Sequence, residues 1–367
     1  MKVQEIVLSS DEKRYLVLDA DQQVIQPVLL FMKYLDTVKK SPNTQRTYCY
    51  GLRDFFLFLS ITNQKYESAT IKTFSNFLSW LVNPTLLEQV KCFEPPTLKS
   101  EKTVNLRMVA VLSFYKFLYQ FNYINHDIAQ QAYVDVKGVI KYKDFLYHIN
   151  KSKLVTKNVL KLKEPKERIK IIPDAVIKAA FENTTNIRDL FLLSLLFESG
   201  LRIGEALSLH KEDIIFDLVD GHHIRLTERS KLSNDSRLKT GKRNIYISSD
   251  LIDLFDDYMY FISDFDATDF LLVKLKGRSK GTPMNYQDVS ALFKRLRKKV
   301  GFHLYPHLYR HTHATKYFEK TKNIKFVQER LGHKQIQTTM NLYLHPTDKE
   351  IREQWEKASV AFRLEEK

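Results

Sequence analysis

Four segments between Gln26 and Ile128 constrain this chain more than any other feature. PVLLFMKYLDTV, TQRTYCYGLRDFFLFL, TIKTFSNFLSWLV and KTVNLRMVAVLSFYKFLYQF each repeat apolar residues at three- and four-residue spacing, the pattern of a helix with one buried face. None of them buries its stripe alone, so together they predict a compact helical domain over residues 25–135. Ahead of it, VQEIVL and RYLVLDA, joined by the polar SSDEK, read as a short β-like arm over residues 1–24.

A chain of 367 residues exceeds one ordinary core, which predicts a second domain. It begins near residue 170, where Pro173 and Asp174 open a helix. It then passes through a β-rich patch, HHIRLTER and RNIYIS, and returns to helices from about Asn285, spanning residues 170–348. A helix-forming tail over 349–367 follows, with Ile351, Trp355, Val360 and Phe362 as apolar anchors. Between the domains, residues 136–169 lack periodicity and read as a basic linker; from Val136 to Lys170 there are eleven Lys or Arg against three acids. Such clustered charge suits a phosphate backbone, although a solvated linker has the same composition.

Other classes are disfavoured. The apolar run DLFLLSLLFESG is broken by Ser194 and Glu198, short of the roughly 20 residues that cross a bilayer. The N-terminus lacks the apolar stretch and cleavage site of a signal peptide, so a cytoplasmic location is expected. Cys49 and Cys92 sit in helical-looking segments without CxxC spacing, which predicts reduced thiols rather than a disulfide or zinc site.

Four short constellations carry chemistry. In FESGLRIGEALSL an apolar helix ends at Gly200, a second helix begins, and Arg202 lies at the corner with Glu205 three residues on. An arginine there needs a partner: a phosphate held by its fork, or simply Glu205 in a buried pair. In RLKTGKRNIYIS, KTGK reads as a hairpin turn before a strand, placing Lys239 toward a DNA groove or merely in solvent. In HLYRHTHAT, His307 and Arg310 share a helix face, and His307 and His311 have the spacing to pinch a metal. The protease pattern HExxH is absent, so phosphate chemistry outweighs metal and a plain solvated helix. In ERLGHKQIQTTMNLYLH, a helix ends at Leu331 and Gly332, His333 follows, and Tyr343 lies ten residues on. Each has a structural explanation when taken singly.

Taken in order, Arg in GLRIGE, Lys in a KTG hairpin, HxxRH, LGH and Tyr in TTMNLY resemble the tyrosine recombinase (phage integrase) family over about residues 170–350. SPNTQRTYCYGLRDFFLFL and TVNLRMVAVLSFYKFLYQFNYINHDIA are similar to the first and last helices of its core-binding domain, with Asn125 and His126 where the family often has Asn-Pro. The resemblance implies a mainly α fold: an N-terminal helical, SAM-like core-binding domain plus an α+β catalytic domain with a small antiparallel sheet.

It further implies that Arg202 and Arg310 hold the scissile phosphate, Tyr343 is the nucleophile, Lys239 the general acid, His307 the general base and His333 the buttress, with Glu205 and His311 in support. Lys231 and Lys242 rival Lys239, and SRLKTGKR favours Lys239. His313 receives no role beyond that of a structural or surface histidine. DNA-binding candidates are Thr44, Arg46, Lys153 and Lys242.

No cofactor or metal is expected, because two arginine forks can stabilise the transition-state charge and no Walker-type phosphate loop is present. The implied partners are double-stranded DNA and further copies of the chain, as a tetramer on two paired sites. Accessory DNA-bending or element-encoded proteins are the further partners it suggests, and the tail either bridges subunits or packs on its own domain. The implied activity is site-specific recombination of a mobile element by a nucleoid-associated enzyme. Chromosome-dimer resolution and an inactive DNA-binding regulator of the same fold are the alternatives.

Overall fold

A computed structural model describes residues 1–8, 13–83, 99–136, 155–165, 170–229, 232–234, 236, 238, 241–265 and 268–332. The chain divides into two compact units, Met1–Lys166 and Glu167–Lys367.

The first unit is helical. An antiparallel hairpin of β1 (Lys2–Val7) and β2 (Lys13–Leu18) precedes α1 (Gln26–Thr37), α2 (Pro42–Ile61), α3 (Ile71–Val82), α4 (Glu101–Gln120) and the one-turn α5 (Ile128–Gln131). Helix starts follow from side-chain acceptors: the hydroxyls of Ser41, Thr70 and Ser100 accept from the backbone N–H three residues on, satisfying donors that a helix N-terminus leaves orphaned. The core is aromatic. Phe31, Phe55, Phe58, Phe74, Phe77, Phe114 and Tyr115 are fully buried, and edge-to-face pairs such as Phe74–Tyr115, 4.8 Å between centroids, interlock the helices.

The two N-terminal β-like runs form a hairpin that packs on the helices: Tyr15 and Val17 enter the helical core and the Cys49 thiol donates to the Tyr15 carbonyl. One expectation changes here, because the whole of 136–169 is not a linker. Strand β4 (Val155–Asn158) pairs antiparallel with β3 (Tyr133–Val136), Leu160 is buried in the same core, and the Asn105 amide brackets Leu162, donating to its carbonyl at 3.0 Å and accepting from its N–H at 2.8 Å. The lysines of VTKNVLKLK obscured its apolar alternation.

The second unit contains α6 (Asp174–Glu182), α7 (Ile187–Ser199), α8 (Ile203–Ala206), a three-stranded antiparallel sheet in the order β5 (Ile214–Ile215), β6 (His223–Leu226), β7 (Arg243–Tyr246), then α9 (Ser249–Ile262), α10 (Tyr286–Val300), α11 (Pro306–Thr321) and α12 (Ile324–Leu331). Helix α7 is its centre. Phe191, Leu192, Leu193, Leu195 and Leu196 are all buried because α7 packs against both α9 and α11, which explains why its sequence is apolar nearly all round. No helix among the described residues is long and apolar enough to cross a membrane.

Candidate active site

The end of α7 fixes the first site residue. Gly200 caps the helix at φ +65°, a left-handed conformation that costs a side chain energy, and the chain turns so that Arg202 precedes α8. Glu205, on the first turn of α8, is fully buried. Its carboxylate accepts from the Arg202 backbone N–H at 3.0 Å and pairs with the Arg202 Nη1 at 3.1 Å.

Two more guanidinium groups converge on that carboxylate. Arg243, at the start of β7, donates to Glu205 Oε2 at 3.1 Å, and Arg310, on α11, lies 3.8 Å from the same oxygen. Arg310 is 2% exposed, and it also donates to the carbonyls of Gly200 and Leu331, both at 2.7 Å. Arg202 reaches the Leu331 carbonyl as well, at 3.4 Å. Among the described residues the cluster gathers three arginines on the one carboxylate of Glu205, and the Arg202 side chain keeps about a quarter of its surface exposed. Such a preorganised, partly desolvated positive site suits a phosphodiester that gains negative charge. Sequence reasoning used Arg243 only to mark the hairpin; its place beside Glu205 depends on the strand register.

Helix α11 presents the histidines. Pro306 fits the first helical turn, and His307 on that turn is exposed. Its ring meets His311 edge-on at 4.4 Å between centroids. Burial, then the nearby His307 and Arg310, push His311 down to about 4, so it is neutral at physiological pH. His313 faces inward: its Nδ1 donates to the Phe197 carbonyl at 2.9 Å and its Nε2 accepts from Arg330 at 3.0 Å, a tautomer set by these partners. Among the described residues, no group of three His, Cys, Asp or Glu is placed to hold a metal.

Lys153, Lys231, Lys239, His333 and Tyr343 lie outside the described residues. Leu226 pairs with Arg243, so residues 227–242 connect β6 to β7, and the KTGK turn reading falls on Lys239 and Thr240, outside the described residues. This connection is tied down by Arg229, which pairs with Asp213 at 2.8 Å, and by the Asn234 amide, which donates to the carbonyls of Leu207 and Met284. Lys242 is exposed immediately before β7.

In the first unit, Thr44 sits in the first turn of α2, where its N–H donates to the Ser41 hydroxyl, and Arg46 is exposed one turn from Tyr50. The sequence reading missed what surrounds Tyr50. Arg46, Arg53 and Arg107 lie 5.9, 5.2 and 5.5 Å from its ring centroid, and buried Asp54 pairs with Arg53, Arg107 and Lys99. Cys49 is a buried free thiol, pushed up to about 12 by burial.

The two-unit, mainly helical fold agrees with comparisons to known proteins. The phage integrase family model matches residues 167–350, and the model of its N-terminal SAM-like domain matches residues 28–122. The chain is 36% identical to transposase A from transposon Tn554 of Staphylococcus aureus, covering 97% of this chain and 98% of the relative. It is 28% identical to the tyrosine recombinase XerA of Pyrococcus horikoshii over 90% and 92% of the two chains. Among solved structures, the Tn1549 transposon integrase in complex with transposon right end DNA matches with a TM-score of 0.61 at 17% identity, covering 91% of this chain and 99% of that one. The XerH recombinase bound to difH substrate matches with a TM-score of 0.58 at 16% identity, over 88% and 81%.

Proposed function

The chain belongs to the phage integrase family of tyrosine recombinases, and from that premise we propose that it moves a mobile element by cutting and rejoining DNA at specific sites through a covalent 3′-phosphotyrosyl intermediate. The observation that carries the reading is the convergence of Arg202, Arg243 and Arg310 on one buried carboxylate.

In the proposed reaction Tyr343 Oη attacks the scissile phosphorus and the bond to the 5′-oxygen breaks. Arg202 and Arg310 stabilise the charge that builds on the non-bridging oxygens. The phenol, with an ordinary pKa near 10, gives its proton to His307 directly or through water. Lys239 protonates the departing 5′-oxygen, and His333 supports the phosphate. The phosphotyrosyl bond conserves the energy of the broken linkage, so the 5′-hydroxyl of a second duplex reverses the step with strands exchanged. No cofactor enters this balance.

Double-stranded DNA is the substrate. Arg46, Arg53 and Arg107 offer the first unit's contact surface, with Thr44, Lys153 and Lys242 as further contacts. The working assembly is a tetramer on two paired sites, served by accessory DNA-bending or element-encoded proteins and associated with the nucleoid. Identity to transposase A along nearly the whole chain supports transposition or integration; chromosome-dimer resolution is the second reading, since the chain is also similar to a tyrosine recombinase whose name carries no element. Mapping the products in cells that carry the gene beside its flanking DNA separates them: joined element ends and an emptied donor site mark mobilisation, whereas conversion of replicon dimers to monomers marks resolution. Covalent trapping on a nicked duplex tests the chemistry common to both.

A further inference from the structure

His313 is the histidine of HLYRHTHAT to which the family resemblance gives no role, yet it is 8% exposed and bonded at both ring nitrogens. It joins the end of α7 to Arg330 on the last turn of α12. Arg330 Nε donates to His313 Nε2 at 3.0 Å, and its Nη2 donates to the carbonyls of Glu198 at 2.9 Å and Tyr246 at 3.0 Å. Its guanidinium also lies over Tyr317, 5.1 Å from the ring centroid, and Tyr317 stacks in turn on His313. One side chain therefore fastens α12 to α7, α11 and β7.

The backbone at the same place faces the candidate phosphate site. The Arg330 carbonyl accepts from Arg243 Nε at 3.0 Å, and the Leu331 carbonyl accepts from Arg202 at 3.4 Å and Arg310 at 2.7 Å. All three arginines of the Glu205 cluster thus take part of their orientation from two successive carbonyls at the end of α12. If that end shifts, the forks shift with it.

We propose that Arg330 and His313 form a positioning pair that aims Arg202, Arg243 and Arg310 at the scissile phosphate by fixing the end of α12. The pair touches neither DNA nor the reacting atoms, and its role rests on the recombinase reading above. Lysine cannot replace Arg330, because one ammonium group does not reproduce a planar fork with separate bonds to His313, Glu198 and Tyr246. Glutamine can replace His313, because its amide N–H donates to Phe197 while its carbonyl accepts from Arg330. Phenylalanine keeps the ring and loses both bonds.

The test measures covalent adduct formation at saturating DNA on a nicked duplex that the wild-type protein cleaves, made with an ordinary phosphodiester or with a neutral methylphosphonate at the cleaved position. Arg330→Lys and His313→Phe are expected to form adduct about a hundredfold more slowly on the phosphodiester, with DNA affinity within about threefold of wild type. His313→Gln restores most of the rate. On the methylphosphonate, which lacks the charge the arginines neutralise, the deficits shrink to less than about tenfold. A deficit of equal size on both substrates indicates a general structural defect and overturns the proposal, as do wild-type rates in Arg330→Lys or a His313→Gln as slow as His313→Phe. Failure of the wild type to form adduct on any ordinary phosphodiester duplex carrying a site it recombines defeats the recombinase reading itself, an outcome distinct from a deficit confined to the variants.

Discussion

Glu205 is the residue on which the second unit's charge balance turns. It is completely buried, and the three arginines around it come from the turn before α8, from β7 and from α11. Removing one partner from a buried ion cluster leaves uncompensated charge and costs about 3–5 kcal/mol. Glu205→Ala should therefore lower unfolding stability by an amount in that range, measured by denaturant titration, and a loss too small to resolve would contradict the cluster as drawn. The histidines add a pH dependence of determined sign. Burial holds His311 at about 4 and His313 at about 3, against 6.5 for the free side chain. The unfolded chain thus binds more protons than the folded one, so the stability that the neutral histidines provide is complete above about 6.5 and is lost as pH falls toward 3. Protonation of His313 would also set its Nε2–H against the Arg330 Nε–H, donor facing donor, in place of the bond between them. The melting temperature should fall across this window, and His313→Gln should flatten the fall; an unchanged slope would remove His313 as its source.

At the scale of elements, the turn between α7 and α8 sets the arginine geometry. Gly200 has a positive φ, and a Cβ there would run into the His313 ring. Gly200→Ala should cost more than the 1–2 kcal/mol typical of a left-handed alanine, visible as a lower melting temperature together with slower DNA cleavage. The helices of both units were legible because apolar spacing and Ser, Thr, Asn and Pro start signals act within one turn. Gly200 as a helix end, Arg202 at the corner and the α11 face bearing His307 and Arg310 were legible for the same reason. What escaped was set by contacts distant in sequence. Arg243 meets Glu205 through sheet register, Arg330 meets His313 across two helices, and Leu160 reaches the first core from a lysine-rich segment. No local pattern distinguishes these residues from surface charges or linker.

For the whole molecule, the net charge of +15 predicts DNA binding dominated by counterion release, with affinity falling by about a thousandfold as salt rises from about 50 to about 200 mM. Arg53→Leu and Arg107→Leu should each lower that salt slope if the cluster around Tyr50 contacts phosphates; an unchanged slope would place the contact elsewhere. Sedimentation on paired sites with and without residues 350–367 tests whether the tail joins subunits, and unchanged assembly would assign it to its own domain. The central claim, a metal-free phosphotyrosyl mechanism, is tested most directly by incubating the protein with a nicked suicide duplex in EDTA and resolving covalent protein–DNA adduct on a denaturing gel. The wild type should accumulate adduct through Tyr343, and Tyr343→Phe should form none. No adduct from the wild type on a site it recombines, or an undiminished adduct from Tyr343→Phe, would contradict the account.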